Sequence, residues 1–128
     1  MRAETLESVE KAEGDFQTAT REAAVADVPN FDAVCFHAQQ SAEKYLKAVL
    51  VERGIYFPKT HDLESLLTNV CSVAPEASSL VNTANRLTDY GTIYRYPGSS
   101  SGSGAAAEAL SDCTRIRAVL RTVLGLPL

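Results

Sequence analysis

Three features of the sequence predict an all-α fold, an up-and-down bundle of four main helices plus one short helix. Apolar residues recur at helical spacing in five stretches, and no stretch sustains the period-2 alternation of a strand. The breaks between stretches carry Pro, Gly, Asn or Asp. At 128 residues the chain is long enough to form one domain, residues 1–128, that buries a core without staples.

The first helix spans residues 3 to about 25, with Leu6, Val9, Ala12, Phe16, Ala19 and Ala23 as a narrow apolar stripe. Its acids, Glu4, Glu7, Glu10, Glu13 and Asp15, crowd the N-terminal half, where the helix dipole favours them. Ala26-Asp27-Val28-Pro29 turns the chain into the central helix. There Phe31, Val34, Cys35, Ala38, Ala42, Tyr45, Leu46 and Val49 repeat as one core-facing stripe. Asn30 suits the N-cap, Gly54 the left-handed position past the end, and Pro58 forbids continuation. About 24 residues would give a rod of roughly 36 Å, around which the other helices pack.

Thr60 or Asp62 is expected to cap a short helix over 63–73, with Leu63, Leu66, Leu67 and Val70 inward. Pro75 and Glu76 restart the chain as a fourth helix that carries Leu80, Val81, Ala84, Leu87, Gly91 and Tyr94 on one side and stops at Pro97. The run 98–104, GSSSGSG, reads as a mobile Gly/Ser connector; it lacks the GxxxxGK[ST] pattern of a phosphate loop. The last helix covers about 105–124, with Arg115, Arg117 and Arg121 towards its C-terminal end.

Sixteen acidic against twelve basic residues leave a net charge of −4, without the broad positive field of a non-specific nucleic-acid binder. The longest apolar runs fall far short of a membrane span, and the N-terminus has no apolar leader, so a soluble cytoplasmic protein is expected. Cys35, Cys71 and Cys113 stand singly, without a CxxC pair, and read as small buried apolar residues rather than a disulfide framework or zinc site. His37 has Ala33, Val34, Gln40 and Ser41 as its helical neighbours, none a strong ligand. His37, Gln40 and Lys44 are therefore read as a polar stripe facing a partner or interface, and His61 as a capping or packing residue. No metal and no cofactor is expected.

The stretch FHAQQSAEKYLKAVLVERGIYFPKTHDL resembles the central signature of HEPN domains. The likeness lies in Ala38-Gln39-Gln40, Glu43, Lys44, Lys47 and Lys59-Thr60-His61-Asp62-Leu63. Tyr94-Arg95-Tyr96-Pro97 lies where many members carry an Arg-Tyr-Pro helix ending. Catalytic HEPN proteins resemble metal-independent ribonucleases, with an arginine followed after four to six residues by a histidine. Here LTDYGTIYRYPG follows Arg86, no histidine occurs after His61, and Arg53 precedes His61 by eight positions. The resemblance thus implies a non-catalytic HEPN module, the alternative being a HEPN ribonuclease toxin. A helical enzyme or metal carrier on a look-alike bundle has no ligand set to support it.

The resemblance also implies a homodimer with a shared cleft. A frequent partner in the family is a small nucleotidyltransferase encoded alongside, often as a toxin–antitoxin pair. Surplus apolar surface on the central helix, at Phe36, Leu50 and Val51, points to the same pairing. Arg86, Tyr90 and Tyr94 recur every four residues on one helix face, and Arg95 joins them only if the helix unwinds before Pro97. Arginine can grip phosphate and tyrosine can stack on a base, so these four are the candidate nucleotide- or RNA-binding residues.

Overall fold

The computed structural model describes every residue except Arg95 and Tyr96, and Thr92 by its backbone alone. Five α-helices follow in order: α1 (Ala3–Ala23), α2 (Phe31–Glu52), α3 (Leu63–Cys71), α4 (Val81–Ile93) and α5 (Ser103–Val123). The described residues contain no strand. Pro75–Leu80 forms a 3-10 turn rather than the first turns of an α-helix, so α4 begins later than the sequence predicts. α4 ends at Ile93, four residues short of Pro97.

Side-chain bonds set the helix directions. Thr5 Oγ1 donates to Glu52 Oε1 (2.9 Å) at one end of the α1–α2 pair, and Asp15 meets His37 further along, so the two run antiparallel. Arg115 Nη1 donates to Thr83 Oγ1 (3.2 Å) while Arg86 reaches Asp112, which makes α4 and α5 antiparallel. Asn30 caps α2 by accepting from the Ala33 amide (3.1 Å), and Gly54 takes the left-handed conformation after its last turn. Asp62, not Thr60, caps α3 through the Glu64 amide (3.1 Å).

α2 lies at the centre. Val34, Cys35, Ala38, Ala42, Tyr45, Leu46, Ala48, Val49 and Leu50 on it are all buried. Leu50 is therefore core rather than surplus surface, while Phe36 remains 37% exposed. The polar Gln39, Ser41 and Glu43 are buried too, because α2 has neighbours on most of its sides. On α1 the buried stripe is Thr5, Val9, Ala12 and Ala19; Leu6 is half exposed and the hydroxyl of Thr5 is satisfied by Glu52. Val81 points outward on α4. At Gly91 the helices touch: a Cβ there would lie 2.5 Å from Gln39 Cγ and 2.7 Å from its Cβ, so only glycine allows this approach.

The Gly/Ser connector is tethered at one point. Asp32 Oδ1, in the first turn of α2, accepts from both the amide (2.7 Å) and the hydroxyl (2.6 Å) of Ser101. Ser103 and Gly104 already belong to α5. Cys35 and Cys113 are buried and Cys71 partly so, and none is in a disulfide.

Candidate functional site

The face where α4 meets α5 brings together three of the four candidate ligand-binding residues. Arg86, Tyr90 and Tyr94 follow one another along α4 and its C-terminal turn; Arg95 lies outside the described residues. The Tyr90 and Tyr94 rings stack, 6.2 Å between centroids and 14° from parallel. α5 answers with two acids one turn apart. Arg86 Nη2 donates to Asp112 Oδ1 (2.9 Å) and Nε to Asp112 Oδ2 (3.2 Å), a two-pronged pair. Nε also lies 3.1 Å from Glu108 Oε1.

Asp112 is buried, so it depends on that guanidinium as its counter-charge. Glu108 is half exposed and accepts from the Tyr90 hydroxyl (2.8 Å). That hydrogen bond, reinforced by burial and by the carboxylate's charge, pushes the Tyr90 phenol up to about 12. One guanidinium thus faces two carboxylates. Arg86 is already engaged by its neighbours.

The expected polar stripe on α2, partly exposed, is engaged by neighbouring side chains. His37 Nδ1 lies 2.8 Å from Asp15 Oδ1, and Lys44 Nζ pairs with Asp15 Oδ2, so both residues close onto α1. Gln40 donates to Gln39 Oε1 (2.8 Å). A second histidine–carboxylate–lysine triplet sits further along α2. Glu43, almost fully buried, meets His61 Nδ1 at 2.9 Å and Lys47 Nζ at 3.0 Å. Gln39 donates both to Glu43 Oε1 (3.2 Å) and to the His61 carbonyl (3.1 Å). His61 therefore pins the connector to α2 rather than capping α3. Since a carboxylate only accepts, each ring carries its hydrogen on Nδ1.

Both histidines of the chain are thus committed on α2, and neither is bonded to Arg86. Burial raises the thiols of Cys35, Cys71 and, to about 12, Cys113, so none is a ready nucleophile. Among the described residues, no group of three or more His, Cys, Asp or Glu could hold a metal ion. No helix there is long and apolar enough to cross a membrane.

The HEPN domain family model matches residues 5–123. The chain belongs to the HEPN family. Its fold is similar to the crystal structure of TT1696 from Thermus thermophilus, with TM-score 0.81 and 25% identity over 94% of this chain and 98% of that one. It is also similar to the crystal structure of ST0689, an archaeal HEPN homologue, with TM-score 0.75 and 24% identity over 95% and 98% of the two chains. No functionally curated protein matches the sequence.

Sequence reasoning missed the acids that define the α4–α5 face. Glu108 and Asp112 stand four apart on α5, the spacing of one helix face, and Asp112 is on the edge of an apolar stripe. That pattern is a readable sign of a buried acid in need of a cation. Asp15 as the shared partner of His37 and Lys44 left no such sign, because it lies on another helix.

Proposed function

We propose that this HEPN protein is a non-catalytic binding module. It acts in the cytoplasm as a homodimer, and its α4–α5 face contacts a nucleotide, an RNA or a small nucleotidyltransferase, the last within a toxin–antitoxin pair. The observation that carries this reading is the state of Arg86. Its guanidinium is held by Asp112 and Glu108, and both histidines are engaged elsewhere, so the arginine–histidine pair of the family's ribonucleases has no counterpart. A polyanion would gain little from an arginine facing two carboxylates, which favours a protein partner over RNA. The stacked pair Tyr90–Tyr94, with Arg95 next in the chain, supports a nucleotide base as the second reading.

The test mixes the protein with any small nucleotidyltransferase found encoded beside it, and separately with ATP and a short RNA, and measures each affinity by calorimetry. Tyr90→Ala is expected to weaken the protein complex at least tenfold and leave the fold intact. Nucleotide or RNA binding that is salt-sensitive and lost in Arg86→Ala would instead establish the second reading. A monomer in sedimentation at micromolar concentration would remove the dimer from the proposal.

A further inference from the structure

The connection between α4 and α5 is fastened to α2 through one carboxylate. Asp32 Oδ1 accepts from both the amide (2.7 Å) and the hydroxyl (2.6 Å) of Ser101, 69 positions further along the chain. The same hydroxyl lies beside the Cys35 thiol, one turn on from Asp32. Burial raises that thiol, and its bond with the Ser101 hydroxyl lowers it in part. Cys35 is fully enclosed, so Ser101 closes over it. The residues ahead of Ser101 face water: Pro97, Gly98, Ser99 and Ser100 are all exposed.

Release of that hold costs the rest of the molecule little. Glycines flank the segment at 98 and 102, and Gly98 stands at φ +94°, a conformation that side chains resist. Ordering a Gly/Ser run carries a large entropy loss, against which stand the two bonds from Ser101 to Asp32. Asp32 is not stranded on release. It is half-buried in the first turn of α2, where the helix dipole favours a carboxylate and water can replace the serine. The first turn of α5 closes through the Ala106 amide on the Gly102 carbonyl (3.1 Å), beyond the bonds that give way. The Arg86–Asp112 and Tyr90–Glu108 bonds also survive, since they join α4 to α5 and not to α2.

We propose that residues 98–102 are a strap latched by Asp32. Latched, it ties the α4–α5 connection to α2 and seals the Cys35 thiol. Unlatched, by loss of both Ser101 bonds together, it swings on Gly98 and Gly102 and lets solvent reach Cys35 while the helices stay in place. That such opening changes how a partner meets Tyr94 rests on the binding role proposed for the α4–α5 face; the latch itself does not.

The experiment follows the reaction of the folded protein with dithiobisnitrobenzoate, a disulfide reagent that releases a coloured thiolate, and assigns each modified cysteine by peptide mass. Partly buried Cys71 is expected to react first, Cys35 at a rate set by strap opening, and fully buried Cys113 last. In Asp32→Ala the Cys35 rate should rise roughly tenfold, the effect of losing about one net hydrogen bond to a charged group, with the Cys113 rate unchanged. Ser101→Ala, which keeps the amide bond, should give a smaller rise. A Cys35 rate equal in Asp32→Ala and the unmodified protein, or one that rises only together with that of Cys113, overturns the strap. Should Asp32→Ala not fold, the unmodified protein decides. There the Ser101 amide must exchange with solvent, and Cys35 react, through an opening far more frequent than the one that exposes Cys113. Cys35 and Cys113 reacting at one rate overturns the proposal.

Discussion

Two arginine–carboxylate–tyrosine clusters stand at different places on α5 and are built from opposite charge counts. Near its C-terminal end two arginines share Glu13 and meet Tyr45; nearer its start one arginine, Arg86, faces Asp112 and Glu108 and meets Tyr90. Both tyrosines are pushed up to about 12, but for different leading reasons. Burial leads at Tyr45, which is fully enclosed, whereas the hydrogen bond to Glu108 leads at half-buried Tyr90. The first cluster joins α1, α2 and α5 and is part of what holds the bundle. The second is a half-exposed surface. Similar residue types thus do different work according to how much water they keep.

The sharpest separation comes from removing one member of each. Arg117→Ala leaves Glu13 short of its main partner and uncovers Phe16, so it should cost about 3 kcal/mol, a fall in Tm of roughly 12 °C. Glu108→Gln should move Tm by no more than about 2 °C, since the exposed pair is screened. Equal losses would mean that the α4–α5 face is as structural as the other cluster.

Gly91→Ala tests whether α4 is held in place by its contact with α2. The added methyl meets Gln39 at backbone-proximal atoms, and the expected cost is about 2 kcal/mol. Loss of stability together with an altered environment of His61, which Gln39 also binds, would show that the two helices yield together. An unchanged Tm would mean that α4 is loosely seated.

The pH dependence distinguishes the clusters next. A tyrosine raised from 10 to about 12 on folding contributes stability that is complete below pH 10 and is lost as pH rises towards 12. Arg117, bonded to Glu13, is the main cause holding that carboxylate below its ordinary value of 4.5. Its contribution is therefore present above pH 4.5 and lost as pH falls through the lowered value. Tyr45 and Tyr90 should titrate late by phenolate absorbance. In Glu108→Gln the Tyr90 phenol should return towards 10 while Tyr45 stays late. If both return, the clusters are coupled rather than separate.

The smallest effect belongs to the α1–α2 turn. Val28 is exposed at φ +51°, a left-handed conformation that a β-branched residue resists. Val28→Asn should raise stability by about 0.5–1 kcal/mol without touching either cluster. A fall in Tm would show an unrecognised contact of the valine.

Much of the bundle was legible because helical periodicity is local. The stripes of α2, α3 and α5, the Asn30 cap and the Gly54 stop depend on residues within a turn or two of each other. The ends of α4 were less legible. Pro75 fits the start of either an α-helix or a 3-10 turn, and Pro97 bars a helix only at its own position and the one before it. Arg86 and Tyr90 could be grouped from their spacing, but not their neutralisation by Glu108 and Asp112, since those acids arrive from another helix. The pairing of His37 and Lys44 was hidden for the same reason. Their partner, Asp15, is over twenty positions away, and a polar stripe on a central helix looks the same whether it faces solvent or a carboxylate.

The measurement closest to the central claim, that this HEPN protein binds rather than cleaves, is incubation of purified protein with RNA without added metal, beside an Arg86→Ala control. The arrangement of Arg86, His37 and His61 predicts no cleavage above background in either sample. Cleavage by the unmodified protein that disappears in Arg86→Ala would contradict it.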